Sequence, residues 1–208
     1  MVYFFIKRLF DIFVSIVGII FLLPLSLIIK ICYIIIGDFN SIFYFQERVG
    51  KNGEIFKIIK FRTMVINADK ILDNLLLDEK YSKQYYCAYK INDDPRITKI
   101  GQILRRLSID EFPQFINVLV GHMSLVGPRP VIKKELNMYK KNKNLLLSVR
   151  PGLTGNWVIN GRNNITYDDR VKFEVEYVKN MSLLFDLKIM FKTLICVFSK
   201  RGALWINL

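Results

Sequence analysis

The sequence predicts an α+β, mainly helical protein in which one long apolar N-terminal segment precedes a β-hairpin-containing domain. Three observations carry this: an uncharged run from Ile12 to Ile29, an Asn52-Gly53 pair between two β-rich runs, and apolar residues at helical spacing through much of the remainder. A chain of 208 residues can form one substantial core. The expected division is a membrane element over 1–39 and a single domain over 40–208.

After Lys30 the apolar run resumes through Ile36 and stops at Gly37-Asp38. A cleavable signal peptide would be shorter and would end in small residues. A straight helix from Ile12 to Gly37 extends about 39 Å, against a hydrocarbon core of about 30 Å. A spanning helix is therefore the default expectation. Pro24, near the middle, removes a backbone hydrogen bond and bends a helix, and Ser26 is placed to help satisfy the freed groups. Each arm alone covers about 18 Å, enough only to dip in and return. Lys7 and Arg8 precede the run, while Arg48, Lys51, Lys57, Lys60 and Arg62 follow it. Basic residues mark cytoplasmic flanks, so two basic flanks are most simply accommodated by a broken, re-entrant helix with both ends on the cytoplasmic face. The residues themselves leave spanning and re-entry open.

Two β-rich runs follow, Ile42 through Val49 and Ile55 through Met64, and the Asn-Gly between them predicts a hairpin. Lys60 and Arg62 alternate within the second run, which puts them on one face, toward phosphate or lipid head groups or simply toward water. Ile71, Leu72, Leu75 and Leu76 predict a helix within 65–79. Tyr81, Tyr85, Tyr86 and Tyr89 suit either a lipid interface or ordinary packing. Thr98 to Leu107 predicts a basic amphipathic helix that delivers Arg105 and Arg106. Residues 138–143 are polar and basic and lead to a Pro151-Gly152 turn. Tyr167 to Phe198 predicts two amphipathic helices, one lying against a membrane.

Lysine and arginine outnumber acids 31 to 18, giving a formal charge of +13, and hydrophobic residues make up 52% of the chain. That combination suits an anionic membrane surface. No zinc-finger spacing, RNA-binding aromatic signature or heptad-plus-basic region is present, so no nucleic-acid partner is expected. Cys32, Cys87 and Cys196 are widely separated in apolar surroundings and are expected to be buried free thiols in a reducing compartment. With His122 the only histidine, a zinc site is not expected.

The chemistry concentrates between Ser108 and Pro130. Asp110-Glu111 is followed by Phe112-Pro113-Gln114 and then by Gly127-Pro128-Arg129-Pro130. Adjacent carboxylates repel, so keeping both ionised needs nearby cations; one acid can then attack phosphorus while the other helps hold a metal. Arg105, Arg106 and Arg129 offer such charge, and a guanidinium forks onto phosphate oxygens as a lysine cannot. The bland alternative is a capping box, with Ser108 as the cap and Glu111 bonding back. Pro113 argues against it, because a proline at the fifth helical position lacks a needed N–H. A helix starting near Phe112, with Pro113 at its first position and its end near Gly121, fits better.

The ordered set Asp94-Pro95-Arg96-Ile97-Thr98, Arg105 with Ser108 through Gln114, Met123 through Pro130, Pro151-Gly152-Leu153-Thr154-Gly155, Asn160-Gly161-Arg162-Asn163 and Asp186-Leu187-Lys188 resembles the small monotopic polyprenyl-phosphate phosphoglycosyl transferases, the bacterial sugar transferases that begin lipid-linked glycan assembly. The resemblance extends to Gln46, Arg48, Gly50, Gly53, Phe56 and Lys60-Phe61-Arg62-Thr63-Met64, and to Lys7-Arg8-Leu9-Phe10-Asp11 before a proline-bent helix, so it covers nearly the whole chain. It implies a monotopic membrane protein on the cytoplasmic face of a bacterial inner membrane. It also implies transfer of a sugar 1-phosphate from a UDP-sugar to undecaprenyl phosphate, with release of UMP and use of Mg2+. By that resemblance Asp110 is the nucleophile, Glu111 its electrostatic partner, and both are metal ligands. Arg105, Arg129, Arg162, Pro128, Lys60, Arg62 and Asp186 match positions associated with substrate binding, and anionic lipids are expected partners of the surface. Asp11 is expected to anchor the first segment at the interface, or to be a plain flanking charge. His122 stands where the family has aspartate, and Asn156-Trp157-Val158-Ile159 departs from its Trp-Ala-Gln-Val, so His122 is read as structural and donor preference is left open. A direct ternary-complex transfer and a membrane scaffold for glycan enzymes are the rival readings.

Overall fold

The computed structural model describes residues 2–88, 91–162 and 165–198; Tyr89 and Asn163, singled out above, lie outside them. Helix α1 runs over Val2–Ile35 and continues through Pro24. It is therefore longer at its N-terminus than the uncharged run suggested, about 51 Å at the usual rise. The Ser26 hydroxyl donates to the Leu22 carbonyl at 2.7 Å, a back-bond that accompanies bends in helices. At the far end Gly37 takes a φ of 80°, and Lys30 Nζ donates to the carbonyls of Phe39 and Asn40. Asp11, Ser15, Gly18, Leu22, Ile29 and Tyr33 form its single buried stripe. Phe13, Ile20, Phe21, Leu23 and Leu27 stand outward. Only 22% of its most apolar 18-residue window is buried, which is unlike the core helix of a soluble protein.

Strands β1 (Phe43–Val49) and β2 (Ile55–Phe61) pair antiparallel from Phe43 opposite Phe61 to Val49 opposite Ile55. A short 3-10 turn, Lys51–Gly53, joins them, with Asn52 at φ 57° and Gly53 at φ 85°, so the Asn-Gly hairpin forms as expected. Helices α2 (Ala68–Leu75) and α3 (Glu79–Ala88) follow, then α4 (Lys99–Arg106), whose N-cap Thr98 accepts from the Gly101 N–H. A 3-10 turn, Ile109–Glu111, leads into α5 (Gln114–Val120), which ends at Gly121 with φ 91°. Pro113 immediately precedes α5, and Gly121 closes it, within a residue of the expected start and end.

Strand β3 (Ser124–Val126) pairs in parallel with β4 (Gly152–Thr154). Between them lie a kinked 3-10 segment (Lys133–Asn142) and α6 (Lys143–Leu147). Helices α7 (Asn156–Ile159), α8 (Tyr167–Lys179) and α9 (Leu183–Phe198) complete the described chain. The α+β, mainly helical expectation holds.

The core has three parts. Phe56, Ile58, Val118, Met123 and Tyr177 bring the hairpin, α5 and α8 together. Leu22, Ile29, Tyr33, Phe61 and Leu104 pack the second half of α1 on the hairpin and α4. Val49, Val131, Tyr139 and Val171 form the third. A Cβ on Gly18 would sit 2.6 Å from the Phe115 ring, so α1 crosses α5 at a contact that only glycine allows. The cysteines differ from expectation: Cys32 and Cys87 are exposed and Cys196 is partly so. Cys32 lies on the outward apolar surface of α1, where an apolar neighbourhood in sequence does not mean burial within the protein.

Candidate active site

The acid pair is positioned from three sides. A Cβ on Gly101 would lie 1.9 Å from the Thr63 carbonyl oxygen, so α4 rests directly on the end of β2. That contact brings Arg105 Nε within 2.9 Å of Thr63 Oγ1. On the other side, Asn117 of α5 accepts from the Ile59 N–H at 2.9 Å and donates to the Lys57 carbonyl at 2.8 Å. This fixes α5, and the turn before it, against β2. Lys60 Nζ then reaches Glu111 Oε1 at 2.8 Å. Ser108, at φ 58°, makes no capping bond; its Oγ accepts from Arg162 Nη2 at 2.9 Å. The capping-box alternative is thus not what the serine does.

Lys60, Arg105 and Arg162 bear electrostatically on Asp110, and Lys60, Arg162 and Arg129 bear on Glu111. Burial pushes the Asp110 carboxyl up, to about 6, with the Glu111 charge adding to the rise and the three cations opposing it. Burial also pushes Glu111 upward, but Lys60, at hydrogen-bonding distance, together with Arg162 and Arg129 holds that carboxyl well below its usual range. Both acids are half-buried rather than sealed from water, and of the two it is Asp110 whose carboxyl is shifted upward and Glu111 whose carboxyl is held down.

Among the described residues no group of three or more His, Cys, Asp or Glu side chains could hold a metal ion. Two adjacent carboxylates nonetheless suit magnesium, which keeps several waters and takes further oxygens from substrate phosphates. Asp110 and Glu111 are residues that fit it.

The glycine-rich motifs also become intelligible. A Cβ on Gly152 would lie 2.1 Å from the Gly127 nitrogen, and one on Gly155 would lie 2.2 Å from the Gly127 carbonyl oxygen. The Pro128 carbonyl accepts from the Gly152 N–H at 2.7 Å. Gly-Pro-Arg-Pro and Pro-Gly-Leu-Thr-Gly are therefore two backbones packed together, and Arg129 projects from their junction over the Trp157 ring, 5.3 Å from its centroid. Asp94-Pro95-Arg96 is a clamp: Arg96 grips Asp94 in a two-pronged bond of 2.8 and 2.6 Å.

Two expected substrate-binding residues sit elsewhere. Strand β2 ends at Phe61, so alternation does not carry Arg62 to the face of Lys60. Arg62 is buried, stacks on Tyr33 at 4.4 Å, bonds the Ser41 and Met64 carbonyls and pairs with Asp38. Asp186 is buried among Lys7, Tyr3 and Tyr177, at 2.7 to 2.9 Å. It is neither a helix cap nor hydrogen-bonded to the acid pair; Ser182 caps that helix, its Oγ accepting from the Phe185 N–H. Asp11, expected at the interface, is buried and accepts from the Leu125 N–H at 2.9 Å and Ser124 Oγ at 3.2 Å. Arg106 and His122 are exposed, the latter beside the Phe56 ring.

A model of the bacterial sugar transferase family matches residues 2–200 of this sequence. The chain belongs to that family. It is accordingly a transferase. It is 44% identical over 198 residues to the exopolysaccharide production protein ExoY of Sinorhizobium fredii, covering 95% of this chain and 87% of that one. It is 42% identical over 200 residues to the undecaprenyl-phosphate galactose phosphotransferase of Salmonella typhimurium, covering 96% of this chain but 42% of that protein. Identity is 35% over 209 residues to the UDP-N-acetylgalactosamine-undecaprenyl-phosphate N-acetylgalactosaminephosphotransferase of Aeromonas hydrophila, of which the match covers 46%.

Arg48 and Arg170, which prove to neighbour Arg129 electrostatically, were not among the expected site residues. Arg170 carries no local motif. The signal for buried Glu174 was available: it falls on the phase of Val171, Val175 and Val178, where a solvated acid has no place.

Proposed function

We propose that this transferase moves a sugar 1-phosphate from a UDP-sugar to undecaprenyl phosphate and releases UMP, as the first membrane step of assembling a capsule, O-antigen, exopolysaccharide or glycoprotein glycan. The observation that carries the proposal is the convergence of Lys60, Arg105, Arg129 and Arg162 on one acid pair. Relatives named for undecaprenyl-phosphate sugar phosphotransfer support the substrate pair.

In this reading an Asp110 carboxylate oxygen attacks the sugar-bearing phosphorus. The bond to the bridging oxygen breaks, UMP leaves with that electron pair, and an aspartyl phospho-sugar remains. A phosphate oxygen of the lipid then attacks the same phosphorus, and the Asp110 carboxylate leaves unchanged. Lys60 holds Glu111 ionised, while Arg105, Arg129 and Arg162 balance the phosphate charge. Magnesium, bound by Asp110 and Glu111, would neutralise phosphate oxygens during both displacements.

Residues 1–39 act as a re-entrant membrane helix and 40–208 as the catalytic domain, on the cytoplasmic face of a bacterial inner membrane. The outward apolar surface of α1, and Leu184, Leu187, Phe191, Leu194 and Ile195 on α9, supply the lipid contact, with basic residues meeting anionic head groups. Purified protein given a panel of UDP-sugars, undecaprenyl phosphate and magnesium should release UMP with at least one donor. No release from any donor would remove this reading and favour a scaffold.

A further inference from the structure

Eight buried side-chain atoms among the described residues lack a hydrogen-bond partner in the protein, and six belong to one connected cluster. They are Nε of Arg48, Arg129 and Arg170, Nε1 of Trp157, Oη of Tyr167 and Oε2 of Glu135. The Arg129 and Arg170 guanidiniums lie 5.3 and 5.6 Å from the Trp157 centroid, and Arg170 also faces Tyr167 at 5.2 Å. Arg48 lies within electrostatic reach of Arg129, Glu135 and Glu111, which makes the cluster continuous with the acid pair.

Tyr167 Oη has the Tyr139 hydroxyl as a looser neighbour, but buried donors are normally satisfied, so the three arginine Nε atoms and Trp157 Nε1 beside a single orphan acceptor are a chemical anomaly. The charge is unbalanced too. Burial and the Arg129 charge push Arg48 down, to about 10, and the same two causes lower Arg170. Of the two nearby acids, Glu174 is already engaged: Tyr139 Oη donates to it at 2.6 Å and the Arg129 N–H at 3.1 Å. Burial also raises its carboxyl to about 7, which weakens it as a counter-charge. Arg48 spends its terminal nitrogens on the Pro130 carbonyl, at 3.0 Å, and on the Gln46 amide oxygen, yet three half-buried guanidiniums set beside one another suit an anion rich in acceptor oxygens.

We propose that Arg48, Arg129 and Arg170, braced by Trp157 and Tyr167, form a second phosphate subsite beside the acid pair, which takes the nucleotide-side phosphate of the donor and then holds the departing nucleoside monophosphate. The identity of that phosphate rests on the function proposed above; the phosphate chemistry does not. A lipid phosphate has the same chemistry, but the cluster lies under α8, where every fully exposed residue from 166 to 180 is polar: Thr166, Asp168, Lys172, Glu176, Lys179 and Asn180. A ligand arriving with a long apolar tail would approach from the α1 and α9 side.

The test uses full-length protein in detergent and compares wild type with Arg170→Gln, Arg170→Lys and Arg48→Gln, each first checked for an unchanged thermal transition. Calorimetric titration with UMP and with inorganic pyrophosphate reads binding without turnover. Losing one charge-assisted contact should weaken both ligands by roughly tenfold or more. Arg170→Lys, which keeps charge but loses the stacked plane, should fall between. In steady state the KM for the UDP-sugar should rise while that for undecaprenyl phosphate stays put. Equal UMP and pyrophosphate binding in all four proteins would overturn the subsite, as would a rise confined to the lipid KM. Tight UMP binding without turnover on any donor would count against the proposed function and leave the subsite standing.

Discussion

Lys60 Nζ stands 2.8 Å from Glu111 Oε1, and that one ammonium governs both members of the acid pair. It is the strongest influence opposing burial at both carboxyls. Two adjacent carboxylates are therefore shifted in opposite directions, Glu111 down and Asp110 up.

Turnover should rise with pH through about 6, as Asp110 loses its proton and becomes a nucleophile. Replacing Lys60 with glutamine removes a positive charge that favours ionised Asp110, so the acidic limb of the profile should move to higher pH. A pH profile of UMP release by both proteins checks this; a limb that stays in place would mean that another group controls it.

Asp110→Asn should abolish both half-reactions, while Glu111→Gln should slow turnover and leave a carboxylate that can be labelled. With a UDP-sugar radiolabelled in the sugar and no lipid acceptor, wild type should yield labelled protein and free UMP. Rapid-quench samples without label, together with ternary-complex kinetics, would favour direct transfer.

Arg129→Lys keeps the charge but loses the planar fork and the ring contact with Trp157, so activity should drop at least tenfold in a folded protein. Arg105→Lys should also be costly, because its Nε anchors on Thr63 beside the acid pair. Arg106→Lys should be mild, since Arg106 faces solvent. The opposite order for Arg105 and Arg106, at equal stability, would reverse the assignment of these neighbours.

The hairpin, α4, α5 and the two final helices were legible because their determinants are local: Asn52-Gly53, Thr98, Pro113 with Gly121, and the apolar phase of 171–178. The acid pair and its arginines were legible as motifs. Arg62 was misplaced because alternation says nothing about where a strand stops. The partners of Asp186 and Asp11 lie 179 and 114 residues away, at Lys7 and Leu125, beyond the reach of any local pattern. Such pairings depend on how α1 crosses the domain, which no window of sequence contains.

Asp11→Ala should strand the buried Leu125 N–H and the Ser124 hydroxyl, costing roughly 1–3 kcal/mol and loosening α1 from β3. Thermal denaturation in detergent should show the loss, and limited proteolysis should cut sooner between α1 and β1. Asp11→Asn retains an acceptor and should be milder. Equal stability of all three proteins would show that the buried contact contributes nothing.

Both termini should be cytoplasmic, because Lys7 and Arg8 lie before the apolar run and Arg48, Lys51 and Lys57 lie after it. The ties of the N-terminal turns to the domain agree: Arg8 donates to the Val118 and Leu119 carbonyls at 2.6 and 2.8 Å, and Lys7 pairs with Asp186. A spanning α1 would place its first turns across the membrane from α5 and α9, and those bonds would break. Thiol labelling of single cysteines added at each end, in a background with Cys32, Cys87 and Cys196 changed to serine, should modify neither in intact cells and both after lysis. Pro24→Ala restores a backbone donor inside the helix and should raise the fraction that spans. Labelling of the N-terminal cysteine in intact wild-type cells would sink re-entry, and unchanged labelling in the Pro24 variant would show that these domain contacts, rather than the proline, hold the helix on one side.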